Sequence, residues 1–448
     1  MTVVAPFQGL RYDAKKISDP AQVVIPPYDV ISPAEQEEYY RTNPFNMVRL
    51  ELGRTTPEDG ESNNAHTRAA ACLREWVRQG VLVRDELPAI YYYELDYSLS
   101  PLTKLTRNGF ICALRLEEFG AGSVLPHERT FQAAKDERLG LMLSCGANFS
   151  PVFSIYSDPG GEVEGCLRNG KEADPAMSFT DRQGLTHRMW RVTDPDTLRR
   201  VKDLMSGRSI FIADGHHRYE TALNYRTIQR RSHPNAGARA SFEYIMMYLS
   251  NLNQEGLTIL PTHRLLRNLG EWDPEPFLSK AQSLFEILRF EPGGAGEASW
   301  RACLEEGTSL KETRIGFCCP RAGAFHVLKA RKRLAAEYLS AQGLTEILQG
   351  LDVVVLDRII LRDLVGLPDG YLSDAKNIQF SHDSVESVAM VRSGACDAGF
   401  LVNPTRVEQV QAVASAGLVM PHKSTYFYPK VGSGMVVRTL SPGEDVLW

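Results

Sequence analysis

Five consecutive residues, Asp214-Gly215-His216-His217-Arg218, gather a carboxylate, two imidazoles and a guanidinium around one glycine. Ahead of them runs the short apolar stretch Ile210-Phe211-Ile212, which reads as a buried strand. Behind them Tyr219, Ala222 and Leu223 recur at helical spacing, so a helix is expected to open at His216 or His217. A helix start presents the positive end of its dipole and attracts anions. Gly215 lets the backbone approach a ligand and adopt a positive φ. Arg218 brings a fork that matches phosphate oxygens, and His216 and His217 add donors whose charge responds to a phosphate nearby. The chemistry expected here is a phosphate clamp, with Asp214 orienting it or holding a magnesium ion. Alanine at Arg218 is expected to weaken donor binding and to spare the fold. A plainer account uses the same residues, with Asp214 as an N-cap and the histidines on the surface. Zinc fits poorly, because adjacent histidines diverge around a helix and chelation from one face needs i, i+4 spacing.

Other stretches carry groups that could serve the same anion. PPYDVI holds Asp29 on a proline-stiffened loop, where it could bind magnesium, orient an ammonium or simply stabilise a turn. LPHERTFQAAKDER offers His127, Glu128 and Arg129, then Lys135 and Arg138 three apart on an expected helix. A loop glutamate such as Glu128 can take the proton of a hydroxyl as a phosphoryl group arrives. Lys135 and Arg138 either face one phosphate together or belong to a mixed solvated face. His263 and Arg264 follow an apolar strand in LTILPTHRLL, and strand ends in α/β sheets gather ligand residues. Near the C-terminus, MPHKSTYFYPK supplies Lys423 and Ser424 as a further cation and hydroxyl. No GxxxxGK[ST], GxSxG or protein-kinase signature occurs.

IADGHHRYETALNY, HERT at His127 to Thr130, GANFSPVFSIY, LPTHRLL and MPHKSTYFYPK resemble, in order and over nearly the whole chain, a bacterial and archaeal family catalogued as domain of unknown function 1015. The DGHHR turn is in turn similar to that of the ParB/sulfiredoxin-like superfamily, whose members include kinases that phosphorylate free L-serine. That second resemblance implies a phosphate-handling site at Asp214 to Arg218 and a ParB/sulfiredoxin-like phosphate-binding core. It points to a kinase making O-phosphoserine from L-serine, with ATP, ADP or pyrophosphate as donor and Mg2+ as cofactor. A ParB-like nucleotide-binding regulator and a phosphate-ester hydrolase are the alternatives.

The elements that must hold these residues alternate between strands and helices, so the class is α/β, mixed α+β. Ser32-Pro33-Ala34-Glu35 signals a helix start. MVRLEL alternates like a half-buried strand, with Glu51 beside Met47 and Arg49. AIYYYELDYSL and GFICALRLEEF read as a hairpin around Pro101, and Thr405 to Glu408 as a capping box. RTIQRR after the central turn reads as a solvated helix face. At 448 residues the chain exceeds one ordinary core. Three regions are expected: 1–268, the catalytic α/β region; 269–345, an α/β middle region; and 346–448, a C-terminal α/β region contributing to the site.

Apolar and charged fractions of 43% and 23% are those of a soluble globular protein. A formal charge of −5 counts against a general nucleic-acid binder. No apolar run is long enough to span a membrane, and MTVVAPFQGLRYDAKK has no signal-peptide pattern. Eight scattered cysteines without a CxxC ladder fit reduced thiols and a cytoplasmic location. The expected partners are an amino acid and a phosphoryl donor; no feature of the sequence fixes an oligomeric state.

Overall fold

The computed structural model describes residues 1–128, 132–368, 370–441 and 443–446. Two compact units emerge: Met1–Pro126, Thr130–Thr258 and Pro429–Trp448 form the first, His127–Arg129 and Ile259–Tyr428 the second. Both are mixed α/β in content.

In the first unit a nine-stranded mixed sheet runs in the order Val124–Leu125, Ile210–Asp214, Val152–Tyr156, Tyr244–Asn251, Thr103–Arg115, Ile90–Ser100, Thr186–Val192, Met177–Thr180, with Val4–Ala5 paired to Thr103–Arg115. Its centre is the expected hairpin around Pro101. Aromatic and β-branched residues suit this doubly buried position, and the register sets Tyr91 opposite Ile111 and Tyr93 opposite Gly109. A Cβ at Gly109 would lie 2.5 Å from the Tyr248 ring, so the glycine is what lets that ring cross the strand. One sheet face, with Phe110, Val152, Ile212 and Met247, packs on Leu167 of Glu162–Gly170, Val201 of Pro195–Met205 and Tyr219 and Ala222 of His216–Ser232. Each aliphatic side chain buried there contributes on the order of 1.5–3 kcal/mol. The helix Pro33–Thr42 starts on the expected capping box, with Ser32 N–H donating to Glu35 Oε2 at 2.7 Å and Glu35 N–H to Ser32 Oγ at 3.3 Å. No helix among the described residues is long and apolar enough to cross a membrane.

The stretch Met47–Leu52 departs from the expected strand and forms a helical turn, Val48–Glu51. Asn46 Oδ1 accepts from the Val48 N–H at 2.9 Å, and the Glu51 N–H bonds back to Met47 O at 2.9 Å. The curl buries Leu50 and Glu51 together, which alternation along a strand would set on opposite sides. RTIQRR is likewise not a solvated face throughout. Arg226 is buried and donates to Leu116 O at 2.7 Å, and Arg230 meets Glu243.

The second unit holds an antiparallel sheet ordered Phe285–Phe290, Phe325–Ala330, Arg314–Cys318, Ala398–Leu401, His263–Leu266, Ile378–Ser381. Strands from 269–345 and from 346–448 share this one sheet, so the sequence division at 345 is not a boundary of packing. The last segment instead returns to the first unit, where Arg438–Thr439 pairs with Ala147–Asn148. Helix Val407–Ser415 opens at Arg406, whose N–H donates to Gln409 Oε1 at 2.9 Å. Thr405, expected to cap it, instead donates its hydroxyl to Ser424 O at 2.8 Å, a long-range acceptor that outcompetes the local one.

Burial pushes the Asp352 carboxyl of this unit up to about 7, against the pull of Thr313, Arg406 and Asn403. The folded chain then holds this proton more tightly than the unfolded chain does. Its stabilising effect is complete below the ordinary carboxyl range and is lost as pH rises through about 7. Asp352→Asn, neutral throughout, is expected to lose less stability than the parent between pH 5 and pH 8 in thermal unfolding. An unchanged pH dependence would mean that the carboxyl is well hydrated.

Candidate functional site

The DGHHR turn sits where the sequence places it. The strand Ile210–Asp214 is buried through Ala213 and pairs Ile212 with Ser154 and Asp214 with Phe153, with an irregular register between 212 and 214. Gly215 follows at φ 91° and ψ 30°, a left-handed conformation that a Cβ would strain, and no side chain caps the helix His216–Ser232 that begins there. The helix buries Tyr219, Ala222, Leu223 and Tyr225, which fixes its rotation and turns Arg218 back over the glycine. A Cβ at Gly215 would stand 2.8 Å from Arg218 Nε and 2.9 Å from Nη2. Arg218 Nη2 donates to Asp214 Oδ2 at 2.7 Å and Nη1 to Pro151 O at 2.6 Å. Lys430 Nζ pairs with the other Asp214 oxygen. His216 and Arg218 are buried and His217 is half-buried, so the histidines are not both surface residues and Asp214 is not the N-cap.

Asp214 therefore stands between two cations. With Oδ1 on Lys430 and Oδ2 on Arg218, it does not fit the expected role of a resident magnesium ligand. No group of three or more His, Cys, Asp or Glu among the described residues is placed to hold a metal.

Beside Arg218 lies a cavity of ≈ 40 Å³ lined by Glu51, Arg138, Ser150, Thr221 and apolar neighbours. That is room for a water-sized group. Glu51 Oε1 accepts from Ser150 Oγ at 3.0 Å and from Arg138 Nη1 at 3.3 Å. Burial raises the Glu51 carboxyl, and Arg138 and Arg218 oppose the rise. Arg138 stacks 4.1 Å from the Tyr28 ring centroid and pairs with Glu137. Burial lifts the Tyr28 phenol to about 12. Asp29, next along, is exposed on the turn Tyr28–Val30. Lys135, one turn from Arg138 on Gln132–Cys145, pairs instead with Glu220 at 2.7 Å. The two cations thus have different partners, and Arg138 belongs to no solvated face.

The second unit brings a separate set of the expected residues together. Glu128 Oε1 lies 2.8 Å from His422 Nδ1 and accepts from the Lys423 N–H at 3.4 Å. His127 is buried, with Nε2 3.0 Å from Thr425 Oγ1. Lys423 takes a positive φ of 57°, and Arg264 holds this loop by donating to Lys423 O at 3.0 Å and His422 O at 3.3 Å. Burial lowers Arg264 to about 10 and His263 to about 3, so His263 is neutral; its Nδ1 accepts from the Val402 N–H at 3.3 Å. Ser424 spends its hydroxyl on Pro421 O at 2.6 Å. Arg129 lies outside the described residues.

Sequence reasoning missed Lys430, although it closes the MPHKSTYFYPK block, and it missed Glu51 because the segment was read as a strand. Ser150, in GANFSPVFSIY, gave no signal of its own.

Similar solved structures include a conserved hypothetical protein from Pyrococcus furiosus, 11% identical over 69% of this chain and 90% of that one, with a TM-score of 0.34. They also include a free serine kinase variant in complex with AMP, 11% identical over 70% and 89%, with a TM-score of 0.34. SbnI from Staphylococcus aureus, truncated at its C-terminus, is 10% identical over 75% and 91%, with a TM-score of 0.36. Likenesses of this degree do not transfer a substrate. No curated protein matches the chain in sequence. The model of the family described as protein of unknown function (DUF1015) matches residues 4–354, and this chain is a member of that family.

Proposed function

We propose that the protein is a phosphotransferase acting on a free amino acid, with L-serine as acceptor and O-phosphoserine as product. The observation that carries the reading is the turn at Gly215, where Arg218 and Lys430 flank Asp214 at the start of a long helix. In transfer, the serine oxygen forms a bond to the terminal phosphorus of the donor. The bond to the leaving oxygen breaks, and that oxygen departs as a nucleotide or as orthophosphate. Negative charge grows on the leaving oxygen and spreads over the phosphoryl oxygens, so cations fixed beforehand lower the barrier without reorganising. Arg218, with His216 and His217 beside it, is assigned to the phosphates. The hydroxyl proton passes to a carboxylate, assigned first to Glu128 and second to Asp29. The donor is ATP, ADP or pyrophosphate, and magnesium arrives as part of that substrate. The resemblance of the DGHHR turn to that of the ParB/sulfiredoxin-like superfamily, whose members include kinases of free L-serine, supports the choice of acceptor.

The test incubates the purified protein with L-serine, L-threonine or L-homoserine and each donor in magnesium, reading products by mass spectrometry and phosphorus NMR. O-phosphoserine from at least one donor is expected. Orthophosphate released without a phosphorylated amino acid would make the protein a hydrolase, and no turnover of any donor would end the reading.

A further inference from the structure

Arg107 on the strand Thr103–Arg115 is 0% exposed, yet no ion pair joins it to a carboxylate among the described residues. Nη1 donates to Pro429 O, while Nε and Nη2 make no hydrogen bond of normal geometry, with the Tyr248 hydroxyl as their polar neighbour. The guanidinium lies 4.6 Å from the Phe153 ring centroid and 5.4 Å from that of Tyr248. The Tyr248 hydroxyl, close enough to Arg107 and Ser250 to feel both, makes no hydrogen bond of normal geometry. A guanidinium has donors only. The two aromatic faces offset part of its desolvation, but a buried charge without a counter-charge remains costly. Water would satisfy the open N–H groups and leave the charge uncompensated; an oxyanion does both.

The position is specific. Phe153, on which the guanidinium lies, is the register partner of Asp214. Pro429, which takes the one Arg107 bond, precedes Lys430, the second cation on Asp214. We infer that Arg107 and Tyr248 form an oxyanion subsite of the candidate active site, receiving either the carboxylate of the amino acid or a phosphate of the donor. This deepens the phosphotransferase reading, on which it rests for the choice of ligands.

The subsite is tested by binding rather than turnover, with L-serine, pyrophosphate and ATP as probes in calorimetry and thermal unfolding. Arg107→Met is expected to weaken at least one probe by about 30-fold or more. Without ligand its transition should lie at or above that of the parent, because an uncompensated buried charge is gone. Tyr248→Phe should weaken the same probe by about fivefold with an unchanged transition. Loss for L-serine alone identifies a carboxylate subsite, and loss for pyrophosphate and ATP a phosphate subsite. Parental affinity for all three probes in both variants overturns the inference, as does a parent that binds none of them. If Arg107→Met does not fold, Tyr248→Phe decides by the same criterion. Anion binding lost without serine phosphorylation anywhere would keep the subsite and remove the acceptor. Phosphoserine formed with parental KM values in both variants would do the reverse.

Discussion

Replacing Arg218 by alanine is expected to lower affinity for the phosphoryl donor about a hundredfold, roughly 2.7 kcal/mol, and to cost the fold about 3 kcal/mol as well. Both effects come from one guanidinium. It is 8% exposed, spends one nitrogen on Pro151 O and another on Asp214, and lies across Gly215 with its remaining N–H groups. Its removal orphans the Pro151 carbonyl and opens the wall of the Glu51 cavity. Asp214 still keeps Lys430, which holds the stability cost to the lower end of what breaking a buried pair entails. The sequence alone predicts an unaffected fold for this change; burial of the side chain is what alters the expectation. Calorimetry with pyrophosphate and with ATP, run below the variant's own transition, separates the two effects. Arg218→Lys, which keeps the charge and loses the fork, should fall between variant and parent. A folded alanine variant with parental donor affinity would remove the clamp.

What the sequence could announce was local. Ser32-Pro33-Glu35 forms its cap because donor and acceptor lie three residues apart. The hairpin at Pro101 follows from two aromatic-rich runs on either side of a turn, and DGHHR joins strand to helix because the residues flanking it are apolar at the two appropriate periods. What stayed hidden depends on partners far along the chain. Lys430 meets Asp214 across 216 positions, Arg226 finds the Leu116 carbonyl across 110, and Thr405 gives up its cap for a carbonyl 19 residues away. Six residues of alternation at Met47 fit strand and turn equally well, and only the packing of Leu50 and Glu51 into the interior decides between them. The discontinuous make-up of the two units has the same origin: a strand two residues long, Arg438–Thr439, carries too little pattern to reveal that its partner lies near residue 147.

Glu128→Gln is the change expected to separate binding from turnover most widely, lowering kcat by about 10²- to 10⁴-fold with donor affinity within about threefold of the parent. The glutamine has the same shape, so it can still accept from the Lys423 N–H. It loses the charge that pairs with His422 and the capacity to take a proton. Because the contact with His422 is partly exposed, its loss should cost the fold about 1 kcal/mol or less, too little to depress turnover by unfolding. A proton acceptor also leaves a signature that a purely structural residue does not. The parental rate should rise with pH through the titration of one carboxyl group and then level, and this limb should vanish in the glutamine variant. Asp29→Asn, at an exposed position on the turn Tyr28–Val30, is the companion measurement. Parental turnover in Glu128→Gln together with a collapse in Asp29→Asn would move the proton to Asp29. Parental turnover in both would leave the hydroxyl proton to a phosphate oxygen of the donor, with the protein acting through its fixed cations alone.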